Sequence, residues 1–131
     1  MNLFINSPAY FTQEQGVIDE IYKFCTFISR NIDISLYTDC IDTIGITPII
    51  APISSGFTET RLISLTYRMA SISLFSDYKS FCEADITKKK EIILDNILKS
   101  LYLIERKLKR EFNYEQLEKD IKTLVCTQEN G

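Results

Sequence analysis

The 131-residue sequence contains no histidine, only four glycines and three prolines, and no two of its four cysteines stand close together. Each absence removes a class of chemistry. Without histidine there is no Ser-His or Cys-His nucleophile pair, so acid-base work could fall only to carboxylates, lysines or tyrosines. The glycines form neither a G-x-G-x-x-G turn nor a Walker-type loop, which excludes nucleotide binding through those motifs. Cys25, Cys40, Cys82 and Cys126 make no C-x-x-C pair, the spacing on which zinc and thioredoxin-like sites usually depend. Reduced thiols are expected, with Cys25 acting as a small hydrophobe on an apolar helical face. Neither a metal nor a cofactor is expected. No apolar run approaches the roughly 18 residues of a membrane span, and the start MNLFINSPAY lacks a basic signal-peptide region. The expectation is a cytoplasmic protein with no membrane partner.

What is present describes an ordinary globular chain. A hydrophobic share of 45% against a charged share of 25% is too apolar for disorder, and the length suits a single domain, residues 1–131, with a core of its own. The net charge of −3 is unevenly spread. Residues 1–60 carry two basic groups, Lys23 and Arg30, against seven acidic ones, a net −5, whereas residues 61–131 carry thirteen against eleven, a net +2. A general nucleic-acid binder needs a continuous basic face to displace counterions, so direct nucleic-acid binding is not expected.

The longest periodic stretch runs from Asp85 to Phe112 without glycine or proline. Ile86, Ile93, Leu94, Ile97, Leu98, Leu101, Ile104, Leu108 and Phe112 share one apolar stripe, which predicts one long helix with Asp85 or Thr87 capping its start. Ile92 and Leu103 lie on the opposite side, where helix one or the last helix is expected to cover them. Upstream, residues 2–5 suit a short strand, and Thr12 with Gln15 has capping-box spacing at the start of a helix through Arg30. From Ile32 to Ile53 the period changes, with Ile32, Ile34 and Leu36 alternating with polar positions and Ile44 and Ile46 doing so again before Pro48, which predicts two strands around Thr38–Cys40. Pro48 and Pro52 cannot donate ladder bonds, so the second of these should end at a sheet edge or in the 51–59 loop. Residues 61–76 fit strand or helix, and their β-branched and aromatic content favours two strands, 61–67 and 70–76, joined by a turn or bulge. A helical turn over Asp77–Glu83 follows. Asn113 with Gln116 repeats the cap spacing before a final helix and a frayed 127–131 tail. The pattern predicts an α+β fold, with an antiparallel sheet of about four strands packed against a long central helix and flanked by N-terminal and C-terminal helices.

Two charged features suggest function, and each has a plainer reading. Asp39 and Asp42 could be paired carboxylates for hydrolysis or a divalent ion, or turn-forming residues on a solvent-facing strand edge. Lys88, Lys89 and Lys90 could meet an acidic partner, or form a solvated basic patch in the first turn of the long helix.

Three segments together resemble bacterial immunity proteins of contact-dependent growth inhibition and related polymorphic toxin systems. They are YTDCIDTIGITP (Tyr37, Thr38, Asp39, Ile41, Asp42, Ile44, Ile46, Pro48), DNILKSL with Lys107, Leu108 and Lys109, and FNYEQLEKD (Phe112, Asn113, Tyr114, Leu117, Asp120). The likeness spans roughly residues 30–125. It implies a non-catalytic protein that binds and neutralises a cognate toxin C-terminal domain, commonly a nuclease, encoded beside it. An acidic front half would complement a basic nuclease surface. Asp33, Tyr37, Asp39, Asp42 and Glu59 are therefore expected on the toxin-facing surface, with Tyr37 as aromatic anchor. In the competing reading Tyr37 packs in the core and the carboxylates cap turns. A regulatory or adaptor protein, or a small carboxylate-dependent enzyme, are the other function classes the sequence allows. The toxin's identity and the oligomeric state are not encoded in any motif.

Overall fold

A computed structural model describes residues 2–6, 15–51, 61–108 and 111–130. The elements in order are β1 (Leu3–Ile5), α1 (Gln15–Asn31), a 3₁₀ turn (Ile34–Leu36), β2 (Thr43–Ala51), β3 (Arg61–Thr66), β4 (Met69–Asp77), α2 (Tyr78–Glu83), α3 (Ile86–Leu108) and α4 (Tyr114–Asn130). The Thr12 cap and the 52–59 part of the expected loop lie outside the described residues.

The class is α+β as expected, but the sheet is mixed rather than antiparallel. Its order is β1-β2-β4-β3; β1 and β2 run parallel, β2 and β4 run parallel, and only β3 with β4 is antiparallel. The cause is a crossover. Parallel neighbours need a long connection, and α1 supplies it between β1 and β2. The hairpin of β3 and β4 then folds back so that β4, not β3, lies beside β2.

Alternation along the strands builds one buried face. Leu3 and Ile5 of β1, Ile44, Ile46 and Ile50 of β2, and Ala70, Ile72 and Leu74 of β4 are all buried. Register stacks Ile44 on Ala70 and Ile46 on Ile72. The opposite face carries Phe4, Gly45, Thr47, Ser71 and Ser73 around a shallow groove. The proline in β2 is placed where its missing N–H does no harm. Ile44 N donates to Asn2 O and Asn6 N donates to Ile46 O, so the even-numbered groups of β2 point toward β1, and β1 pairs only as far as Ile46. Pro48 sits beyond that last pair on a local edge.

The helices cover the buried face. Ile93, Ile97, Leu98, Leu101 and Ile104 of α3 are buried, and α3 packs on β2, β4 and all three other helices. It begins as anticipated, with the Asp85 carboxylate accepting from Lys88 N at 2.8 Å. It stops at Leu108; Phe112 is buried from the connection that follows. Ile92 and Leu103 are partly covered within the same core, and Ile92 borders a crevice with Leu74 and Phe75 of β4, so β4 flanks Ile92 on that side. From α1 come Ile21, Phe24, Cys25 and Ile28, and from α4 Leu117, Ile121 and Val125. Cys25 is fully buried, and desolvation pushes its thiol up to about 12. Ser29 of α1 accepts from Ile5 N at 3.1 Å, pinning helix to strand. α4 continues through Asn130, so the expected fraying from 127 is not seen.

The lysine run departs from the expected solvated patch. Lys89 is only 6% exposed. Its Nζ donates to Ala84 O and, at 3.4 Å, to Cys82 O, the terminal carbonyls of α2, and it lies 5.4 Å from the Phe81 ring centroid. A cation at a helix C-terminus meets the negative end of the dipole and closes carbonyls that have no intrahelical partner. Lys88 pairs with Glu91 at 3.2 Å and Lys90 reaches Glu20 of α1 at 3.4 Å.

Candidate functional site

The β2 and β4 strands begin at the same pole, and three further segments meet there: residues 33–42, the β3–β4 turn, and residues 111–113 ahead of α4. The first of these does not contain the expected strand. Ile32 and Ile34 are buried while Leu36 is 75% exposed, because Asp33 turns the chain. Its carboxylate accepts from Ser35 N at 3.0 Å and Ser35 Oγ at 2.7 Å, and Asn2, just ahead of β1, clamps it, donating Nδ2 to Asp33 at 2.8 Å and accepting from Ile34 N at 2.9 Å. An Asp that bonds its own backbone two residues on offers the chain an alternative to the strand ladder. These donors, the Ser35 hydroxyl first, hold the Asp33 carboxyl below the usual carboxylate range.

Tyr37 lies in the core at 8% exposure. Its hydroxyl donates to Asp120 of α4 at 2.5 Å, and its carbonyl accepts from Asn113 N at 2.9 Å. Burial first, and the Asp120 bond second, push its phenol up to about 12, while the same bond and the Gln116 amide hold Asp120 low. Tyr37 is thus a brace between the 33–42 segment and the N-terminal part of α4, which Asn113 caps through Gln116 N at 3.3 Å.

Asp39 and Asp42 are exposed and share one partner, Arg68. The guanidinium contacts both Asp42 oxygens, at 2.9 and 3.1 Å, and donates to Asp39 O, while Asp42 N and Thr43 N both donate to Arg68 O. This fork binds the hairpin tip to the acidic segment, and the Arg68 bond is the main cause that lowers the Asp42 carboxyl. Asp42 therefore does not join Asp39 at a pocket as a catalytic pair would. Asp39 instead borders an open crevice of about 350 Å³ with Leu36, Cys40 and Glu111. The Cys40 thiol bonds the Glu111 carboxylate and is raised chiefly by that contact. Glu59, the fifth expected residue, lies outside the described residues. The pole thus gathers Asp33, Asp39 and Asp42, with Tyr37 beneath them.

Two residues at this pole were not among the expected site residues. Tyr67 and Arg68 form the two-residue turn between β3 and β4, both at positive φ, 50° and 65°, and Tyr67 is 97% exposed. The available signal was a two-residue turn without glycine, asparagine or aspartate, the residues that normally accept that backbone. Among the described residues no three His, Cys, Asp or Glu side chains stand together so as to hold a metal ion, and no described helix is long and apolar enough to cross a membrane.

The family model described as Immunity protein 44 matches residues 1–127. No curated protein and no solved structure matches the chain.

Proposed function

This chain belongs to the immunity protein 44 family, and from that premise we propose that it binds and neutralises a cognate toxin domain encoded beside it, catalysing no reaction itself. The toxin is proposed to be a nuclease, delivered in a contact-dependent or related polymorphic toxin system, and the inhibitor to act in the cytoplasm as a single unit of residues 1–131. The observation that carries this reading is the acidic pole. Asp33, Asp39, Asp42 and Glu111 are exposed on one end of the molecule, facing solvent across segments tied together by Asn2, Tyr37 and Arg68. A nuclease active-site surface is positive because it must hold phosphates, so a fixed negative patch steers association and complements it.

Within this surface Asp39 has the most direct role, since Asp33 is engaged in its turn and Asp42 in the Arg68 fork. Tyr37 contributes by holding the segment in shape. Co-expression with the neighbouring toxin domain tests the proposal: growth should be rescued and the two chains should co-purify. Asp39→Lys, shown to be folded, should slow association at low salt. A wild-type chain that neither rescues nor co-purifies removes the reading.

A further inference from the structure

Backbone conformation and exposure disagree at Tyr67. In a two-residue hairpin turn with both central residues at positive φ, glycine, asparagine and aspartate are the inexpensive choices, because a Cβ crowds the backbone there. Arg68 accepts that position in return for the fork to Asp42 and the bond to Asp39 O. Tyr67 has no such compensation within the fold. Its side chain is 97% exposed, and it makes no hydrogen bond, ion pair or ring contact among the described residues. Strained, non-compensated residues concentrate where function requires the side chain.

We propose that Tyr67 is the aromatic anchor of the toxin interface, entering an apolar pocket on the toxin whose rim carries lysine or arginine. The inference rests on the toxin-neutralising reading above. Three observations fix the chemistry of the occupant. The anchor is a large amphipathic ring on a rigid turn, which loses little conformational freedom on binding, as interface hot spots require. Leu36, 75% exposed, lies across the same segment, on the crevice it shares with Asp39 and Glu111, and supplies a second apolar contact. The surrounding carboxylates of Asp33, Asp39 and Glu111 are exposed and form no ion pair among the described residues, the Arg68 guanidinium being committed to Asp42. The complementary surface is therefore apolar at its centre and positive at its edge.

The two parts of the surface have different kinetic signatures. Rim charges act at long range and set the association rate in a salt-dependent way, whereas a buried anchor sets the dissociation rate. The test measures binding of the purified neighbouring toxin domain to wild type, Tyr67→Asn and Asp39→Asn by surface plasmon resonance at low and high salt, alongside thermal unfolding. Asparagine suits the turn, so Tyr67→Asn should unfold at the same temperature as wild type or higher, yet bind about 30-fold more weakly, through faster dissociation at both salt concentrations. Asp39→Asn should lower the association rate at low salt only. A Tyr67→Asn protein that binds within about threefold of wild type and still rescues growth overturns the anchor and leaves the toxin-neutralising function standing. A wild type that does not bind the toxin overturns both.

Discussion

Removing the Lys89 ammonium while keeping its apolar stem, as Lys89→Met does, should expose what that charge contributes. Its Nζ serves Ala84 O and, more distantly, Cys82 O at 3.4 Å, so one good and one weak charge-assisted bond are lost, and hydrogen bonds to charged groups contribute about 1.5–3 kcal/mol each. The cation over the Phe81 ring adds roughly 0.5–1 kcal/mol. Against this, methionine does not have to be desolvated and still fills the space beside Phe81. The balance is a loss of about 2 kcal/mol. For 131 residues, an unfolding entropy of about 2.1 cal/mol/K per residue makes that a fall in Tm of about 7 °C. Lys88→Met provides the control, because its pairing with Glu91 is exposed on both sides and should move Tm by less than about 2 °C. Differential scanning calorimetry of the two variants is the assay. Equal, small shifts would refute the capping role and return the lysine run to a solvated patch.

Two further outcomes follow from the same contacts. Tyr37→Phe removes the donor that does most to hold Asp120 low. A depressed carboxyl contributes stability above its unfolded value of about 3.9 and loses it as pH falls through the folded one. The urea midpoint of Tyr37→Phe should therefore trail wild type at pH 7, with the gap closing below about pH 3; a gap independent of pH would show that the Asp120 bond is not its source. Ile93→Ala, at a fully buried site, should cost about 3 kcal/mol and Ile92→Ala, partly covered, about half that, a contrast that chemical denaturation resolves.

Long-period features could be read from the chain itself. The α3 stripe, its Asp85 cap and the Asn113 cap of α4 were legible because side chains three and four residues apart decide them locally. The β3–β4 hairpin was legible from its β-branched and aromatic content. What escaped notice was set by distant partners. A three-residue β1 has too little pattern to reveal that α1 is a crossover, so the parallel pairing was hidden. Ile32, Ile34 and Leu36 alternate as a strand would, but Asn2, some thirty residues away, helps Asp33 turn the chain instead. Lys89 reads as surface until α2 is placed against it. At the pole, the acidic residues were visible as charge, whereas the buried position of Tyr37 depends on Asp120, and the exposure of Tyr67 depends on a turn whose residues are unusual for its shape.

The bond between Tyr37 and Asp120 spans 83 positions of the chain, which gives the acidic pole a place in time as well as in space. At a synthesis rate of about 5–20 residues per second, the segment carrying Asp33, Asp39 and Asp42 precedes its brace by roughly 4–17 s. During that interval the sheet can begin to pair, but its isoleucine face waits for α3, and residues 33–42 wait for Asn113 and Asp120. The shape of the acidic pole is therefore among the last features a nascent chain acquires. A product stalled between Glu111 and Asp120 would carry every acidic residue of this pole and still lack the bond that shapes it.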